Sequence, residues 1–133
     1  MPRGLEISRF TSTTQTLTGS PDNILPTMGP LKLRRVGFHC TTGVSATNCV
    51  VTAYRVDGTT ETSMGTFTIP NGTAAGSGVY EDFDQPLDVP AGTRLKLRVT
   101  TPPDTAGAGL FWTEVWFRSL SQAELAAMTK VTS

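Results

Sequence analysis

The pattern that decides the fold is the alternation in Thr93-Arg94-Leu95-Lys96-Leu97-Arg98-Val99-Thr100. Leucine or valine fills every second position, and arginine or lysine fills the positions between them. Successive side chains of a β-strand point to opposite faces, so a period of two predicts a half-buried strand with one apolar and one basic face. The preceding Pro90-Ala91-Gly92 is typical of the turn that leads into such a strand.

A second strand pattern, Leu110-Phe111-Trp112-Thr113-Glu114-Val115-Trp116-Phe117-Arg118, is apolar on both faces. One face carries Phe111, Val115 and Phe117, and the other carries Leu110, Trp112 and Trp116. Such a strand needs cover on both sides, from a second layer of its own chain or from another molecule. Glu114 lies between the tryptophans, and its carboxylate needs a partner such as Arg118 or a base from a neighbour. We expect a subunit interface or a sugar-stacking platform here, and a second core boundary remains the alternative.

Five further segments have strand patterns, at residues 5–10 (with a possible extension to 17), 31–40, 48–56, 60–69 and 79–89. In the second segment the apolar residues change from odd positions (Leu31, Leu33) to even positions (Val36, Phe38) at Arg34-Arg35. This change predicts a β-bulge there. Segment 48–56 is expected to be central, and Asp57-Gly58 predicts a tight hairpin after it. Pro86 lacks a backbone donor, so segment 79–89 is expected to be broken or at an edge. The sequence predicts an all-β fold, an antiparallel β-sandwich or jelly roll of seven to eight strands.

The two ends of the chain have different patterns from the centre. We expect residues 1–30 to form a strand followed by an extended arm, because the run from Thr18 to Pro30 has no period. That run is either a surface loop or an arm that reaches a neighbouring subunit. The jelly-roll domain is expected to span residues 31–120. Residues 121–133 are expected to form a short helix and tail, because Ser121-Gln122-Ala123-Glu124 matches a capping box.

The balance of charge limits the classes of partner. The chain of 133 residues has 11 basic and 11 acidic side chains, which argues against a general attraction to nucleic acid or to an anionic membrane. No run approaches the roughly 18 apolar residues of a membrane span. The N-terminal Met1-Pro2-Arg3-Gly4 lacks the apolar core of a signal peptide. We therefore expect a soluble product made in the cytosol.

Groups that carry catalysis or bind metals are scarce. His39 has no nucleophile in a recognisable context, so we expect no enzyme activity and no cofactor. Together with Cys40 and Cys49 it cannot make a four-ligand zinc site. The two cysteines either bridge their short loop or remain free thiols in the core. Four carboxylates are close in sequence and are expected to be solvated edge charge, with Ca²⁺ binding or an acid pair as the alternative: Glu81, Asp82, Asp84 and Asp88.

A set of basic side chains lies on two of the predicted strands. Its members are Lys32, Arg34, Arg94, Lys96 and Arg98. If the two strands are neighbours in one sheet, these charges share a face that could meet an acidic partner. The alternative is that they are ordinary solvent-facing residues of a strand.

The unit from Leu87 to Thr100, with the Gly/Ala-rich turn and aromatic strand that follow it, resembles small jelly-roll modules of tailed-bacteriophage virions. Such modules occur as head decoration (cement) proteins and as parts of tail and receptor-binding proteins. The resemblance covers residues 31–118 and transfers no binding residue. It implies a structural subunit on the capsid surface, commonly a homotrimer, that binds and stabilises the major capsid protein lattice. A tail, receptor-binding or carbohydrate-binding module, with Trp112 or Trp116 stacking on sugar rings, is the alternative.

Overall fold

The computed structural model describes residues 5–118, which form eight strands and one short 3-10 helix at Leu17–Gly19. The strands are β1 Leu5–Thr16, β2 Ile24–Met28, β3 Leu31–Ser45, β4 Cys49–Asp57, β5 Thr60–Ile69, β6 Gly78–Val89, β7 Arg94–Thr101 and β8 Ala106–Arg118. Within this part of the chain no helix is long and apolar enough to cross a membrane. The helix expected at residues 121–133 lies outside the described residues.

The strands form two antiparallel four-stranded sheets, which confirms the predicted all-β sandwich. The first sheet has the order β1-β8-β3-β6, and the second has the order β2-β7-β4-β5. The chain therefore pairs its first strand with its last, its second with its seventh, and so on inward. This nested pairing is the double wrapping of an eight-stranded jelly roll.

The hydrophobic core lies between the two sheets. From β7 it receives Leu95, Leu97 and Val99, which are buried on the face that the alternation predicts. From the first sheet Phe38 and Phe111 meet with ring centroids 4.9 Å apart. Since these side chains alternate with outward-pointing ones on each strand, each sheet also presents an outer face away from the core.

Two local predictions are confirmed in β3 and after β4. The pairing of β3 with β8 shifts between Leu33 and Arg35, where β3 has one residue more than β8. The apolar residues on either side of this bulge therefore both remain inside. The predicted hairpin joins β4 to β5, with Asp57 paired to Thr60 and with Gly58 at a φ of 62°. That positive φ is readily adopted by glycine.

Strand β6 is both at an edge and broken, as Pro86 predicts. Among residues 5–118 it pairs only with β3, and the register is interrupted between Asp82 and Leu87. Strand β4 lies between β7 and β5 and is therefore central in the second sheet, again as predicted.

The prediction for residues 18–30 is wrong for part of that segment. Ile24–Met28 forms strand β2, which pairs with β7, so it is neither a surface loop nor a projecting arm. Ile24 and the preceding Leu17 are buried in the core and anchor the segment to the sandwich. The strand has no visible period because its register is irregular and Leu25 has a positive φ of 49°. The boundary predicted at residue 30 falls between two strands of the same sandwich.

Candidate functional site

The outer face of the first sheet carries the tryptophans. Strand β8 runs through the interior of this sheet, between β1 and β3. Its inward residues Phe111 and Val115 are 0% exposed, whereas Trp112 and Trp116 point outward and are partly exposed. The two faces that the sequence predicts for this strand are therefore both present, and the outer one is covered by no second layer among residues 5–118.

The register of the four strands arranges the outer side chains in three rows. Each row is given in the order β1, β8, β3, β6. The Trp116 row is Ile7, Trp116, Lys32 and Asp88; the charged row is Arg9, Glu114, Arg35 and Asp82; and the Trp112 row is Thr11, Trp112, Gly37 and Tyr80.

The charged row is a chain of ion pairs across the whole sheet. Arg9 donates to Glu114 over 2.5 Å, and a nitrogen of Arg35 lies 3.7 Å from the other oxygen of Glu114. Arg35 also binds Asp82, and its guanidinium lowers the pKa of that carboxyl below its ordinary value. Glu114 is only 8% exposed, and a nearly buried carboxylate needs partners for its charge. Arg9 and Arg35 are those partners. Of the partners expected from sequence, Arg118 is the last residue of β8, and its side chain lies outside the described part.

The Trp112 row is held together by contacts within the chain. The indole of Trp112 occupies the space above Gly37, where an added Cβ would lie 2.1 Å from the ring. The guanidinium of Arg9 lies 4.9 Å from the ring centroid, on which it makes a cation–π contact. Tyr80 stands beside the indole with ring centroids 6.5 Å apart and is itself 59% exposed. This row therefore presents aromatic surface to its surroundings.

The Trp116 row combines apolar and basic groups. Arg34 lies 5.7 Å from the Trp116 ring centroid, and Ile7 is 49% exposed. Beside the indole is an open cleft of about 310 Å³, lined by Arg34, Asp82, Phe83, Asp84, Pro86 and Trp116. The cleft forms where the register of β6 is broken.

The basic residues predicted as one set lie on two different sheets. Lys32 and Arg34 belong to β3 in the first sheet, whereas Arg94, Lys96 and Arg98 belong to β7 in the second sheet. Nested pairing places the third and seventh strands in opposite layers, so the single basic face that we considered does not exist.

The basic residues of β7 form an ion cluster with two acidic residues that sequence reasoning missed. Lys96 lies 2.5 Å from Glu61 and 3.0 Å from Asp22, and Arg98 lies 2.9 Å from Glu61 and 2.8 Å from Asp22. The hydrogen bond from Arg98 helps lower the pKa of Asp22 to about 2, and Lys96 and Arg98 together lower the pKa of Glu61. Arg94 donates to Asn23 over 2.6 Å. Two of the three basic residues of β7 are thus paired with carboxylates, and no local signal in the sequence links these positions.

The cysteines are both free and buried in the core. Burial raises the pKa of the Cys49 thiol to about 12, and Cys40 donates to the carbonyl of Thr42. Between residues 5 and 118, no group of three or more His, Cys, Asp or Glu side chains is placed to hold a metal ion. In the acidic segment of β6, Asp82 pairs with Arg35.

No protein-family model matches this chain, and no curated protein sequence matches it. Among solved structures, the chain is similar to a subunit of Bacillus endospore appendages, described as disulfide-linked pili. That match has a TM-score of 0.50 and 13% identity and covers 89% of this chain and 91% of the other. Capsid structures of infectious bursal disease virus also match: strain Gx with a TM-score of 0.36 and 12% identity, and a mutant VP2 protein with 0.37 and 13%. Each match covers 86% of this chain, which spans 32% and 31% of those chains. At these identities the pilus match establishes a shared fold.

Proposed function

We propose that this chain is a structural virion subunit, a capsid decoration (cement) protein that binds the major capsid protein lattice and stabilises it. One observation carries the proposal: among residues 5–118, no second layer covers the aromatic and apolar side chains on the outer face of the first sheet, which lie on both sides of a row of paired charges. The resemblance of residues 31–118 to phage jelly-roll modules supports the assignment to a virion. We further propose that the protein is not an enzyme, takes no cofactor and acts on neither nucleic acid nor membrane.

The composition of the face suits a protein partner. Tryptophan, tyrosine and arginine are enriched where proteins meet, because each offers a large contact area together with a polar group. Here Trp112, Tyr80 and Arg9 are neighbours. Covering their remaining exposed area would add hydrophobic free energy at about 25 cal/mol per Å². The charged row would stay paired as water is excluded, which avoids an unpartnered charge at the contact.

The likeness to a pilus subunit supports a role in an assembled structure. We propose, however, that copies of this chain are linked in a different way from the copies of that subunit. The appendages are described as disulfide-linked. In this chain Cys40 and Cys49 are both buried in the core, so neither can reach a neighbouring copy without opening the sandwich. We therefore propose that contacts between copies, and with the coat protein, are non-covalent. For the contacts between copies, the phage resemblance implies a homotrimer, and the mass in solution tests that number.

The proposal is tested by co-sedimentation of the purified protein with capsids that lack it. The double variant Ile7→Glu with Tyr80→Glu places charge on the two most exposed apolar residues of the face, and we expect at least about tenfold weaker retention. The matched control is Met28→Glu, because Met28 is 56% exposed but lies on the second sheet. A wild-type protein that does not sediment with capsids, or a control that loses binding equally, would contradict the proposal.

A carbohydrate-binding module is the second candidate, favoured by the cleft beside Trp116. The cleft of about 310 Å³ offers an indole next to the carboxylates of Asp82 and Asp84, a combination that suits sugar rings and their hydroxyls. Binding on a glycan array that disappears in Trp116→Ala, with the fold retained, would support this alternative.

A further inference from the structure

The charged row on the first sheet alternates in sign from one edge of the sheet to the other. In strand order it reads positive, negative, positive, negative, through Arg9, Glu114, Arg35 and Asp82. Neighbouring strands are about 4.8 Å apart, so the row spans about 14 Å. Its two ends are the most accessible: the side chains of Arg9 and Asp82 are 60% and 48% exposed. The charge order is therefore presented to a partner.

This order is self-complementary in one orientation. Two copies can pack these faces together about a two-fold axis that is parallel to the strands and lies between β8 and β3. Each strand β1 then lies opposite β6 of the second copy, and each β8 lies opposite β3. The facing copy presents the charged row in the reverse strand order. Arg9 therefore faces Asp82 of the second copy, and Glu114 faces Arg35 of the second copy. Each of the four charged residues then faces a residue of opposite charge in the second copy.

The other face-to-face two-fold arrangement is unfavourable. An axis perpendicular to the strands and passing through the charged row would place each strand over itself, so that Arg9 would face Arg9 and Asp82 would face Asp82. Like charges brought together at a contact cost free energy, and complementary charges set the orientation of an interface more than its affinity. The alternation thus selects one of the two arrangements.

The aromatic rows lie on the selected axis. The indole of Trp112 extends from β8 over Gly37 of β3, so it occupies the position where the axis passes. The indole of a second copy reaches the same position, so the two rings meet there together with the Arg9 guanidinium that lies over each of them. In the Trp116 row the same axis places Trp116 opposite Lys32 of the second copy and Ile7 opposite Asp88 of the second copy. Arg34, which lies over the Trp116 ring of its own chain, is then close to the ring of the second copy. Burial of these rings supplies the attraction, while the charged row fixes the orientation.

From this geometry we infer that the partner of the outer face of the first sheet is the same face of a second copy, related by a two-fold axis parallel to the strands. The inference rests on the proposed function, and it takes a two-fold dimer in place of the homotrimer that the phage resemblance implies. Loss of this dimer is then the way in which substitutions on the face weaken retention on capsids, because a dimer presents two linked copies to the lattice. Four strands give a contact about 19 Å wide, confined to one face of one sheet. We expect a dimer whose dissociation is measurable in solution.

Charge inversion at the two ends of the row tests the inference. Asp82→Arg changes the row to positive, negative, positive, positive, and Arg9→Asp changes it to negative, negative, positive, negative. Each variant alone brings like charges together at both ends of its own dimer. A mixed pair of the two variants is again opposite in sign at all four positions. Sedimentation velocity over a concentration series, at low salt, measures the dimer.

We expect the wild type to dimerise, each variant to dimerise at least about tenfold more weakly, and an equimolar mixture to recover dimers close to the wild-type level. Thermal melting of each variant checks that it is folded, and recovery on mixing cannot arise from a misfolded chain. A monomeric wild type, a mass of three copies, variants that still dimerise, or a mixture that does not recover would each overturn the inference. The assay contains no capsids, so failure here is distinct from failure of the co-sedimentation test.

Discussion

At the scale of single residues, Gly37 shapes the outer face of the first sheet. Because it has no Cβ, the indole of Trp112 can lie flat against β3, and an added Cβ would be 2.1 Å from the ring atoms. Non-bonded carbon atoms do not approach each other that closely, so any larger residue has to displace the indole. The position of Trp112, and with it the flatness of the contact surface, depends on this one glycine.

We predict that Gly37→Ala lowers the free energy of unfolding by about 1–3 kcal/mol, the usual cost of overpacking. The displaced indole should also become more exposed and shift its fluorescence emission to the red. Urea denaturation and emission spectra measure the two effects. Gly43→Ala on the same strand is the control, since its Cβ would meet only the Thr73 carbonyl oxygen, at 3.5 Å. Equal behaviour of the two variants would contradict the prediction.

At the scale of elements, the ion cluster on the second sheet attaches the N-terminal part of the chain. Asp22 lies in the loop before β2, Glu61 lies in β5, and both bind Lys96 and Arg98 of β7. Strand β2 has only five residues and an irregular register, so its own ladder gives it limited support. The carboxylate of Asp22 therefore helps to hold β2 at the edge of the sheet.

The pKa of Asp22 gives this attachment a pH dependence. Its value falls from 3.8 to about 2 in the folded chain, and the first cause is the hydrogen bond from Arg98. A carboxyl whose pKa is lower in the folded state than in the unfolded state adds stability above about pH 4 and loses it as the pH falls toward 2. In that window the unfolded chain binds more protons than the folded chain.

We predict that Asp22→Asn is less stable at pH 7 by about 1 kcal/mol or less, because the carboxylate is half exposed and water screens its ion pairs. The stability of the variant should also change less than that of the wild type between pH 4 and pH 2. Chemical denaturation at several pH values measures both effects. Asp104→Asn, at an exposed residue with no ion pair within residues 5–118, serves as the control. An identical acid profile for wild type and Asp22→Asn would contradict the role of this carboxyl.

At the scale of the whole molecule, the sandwich closes over both cysteines. Cys40 lies on β3 in the first sheet and Cys49 on β4 in the second, and both are in the core. A thiolate is the reactive form of cysteine, and burial raises the pKa of Cys49 to about 12. Reaction with a thiol reagent therefore requires opening of the two sheets.

We predict that the native protein reacts with an aromatic disulfide reagent at pH 8 at least about a hundredfold more slowly than the denatured protein. Denatured chains should release two equivalents of product. The variant Thr59→Cys adds an exposed thiol in the β4–β5 turn and should react rapidly with one equivalent while folded. Rapid native reaction of the wild type would show that the core is open at the cysteines.

The sequence by itself determined the strands and their faces. Three sequence patterns predicted what the structure contains: the alternation in β7, the two apolar faces of β8 and the Asp57-Gly58 turn. The shift of apolar residues from odd to even positions at Arg34-Arg35 likewise predicted the bulge in β3. These features are readable because each residue's burial follows directly from its position along an extended strand. The same reasoning failed at β2, where an irregular register removes the period.

The tertiary structure alone decided which residues from distant strands meet. Nested pairing separated Lys32 from Lys96, brought Asp22 to β7, and placed Gly37 beneath Trp112. It also set the order of signs in the charged row, because that order depends on which strands are neighbours in the first sheet. The physical reason is that a local period reports which side of a strand is buried, whereas the choice of neighbouring strand depends on how both sheets pack together as a whole.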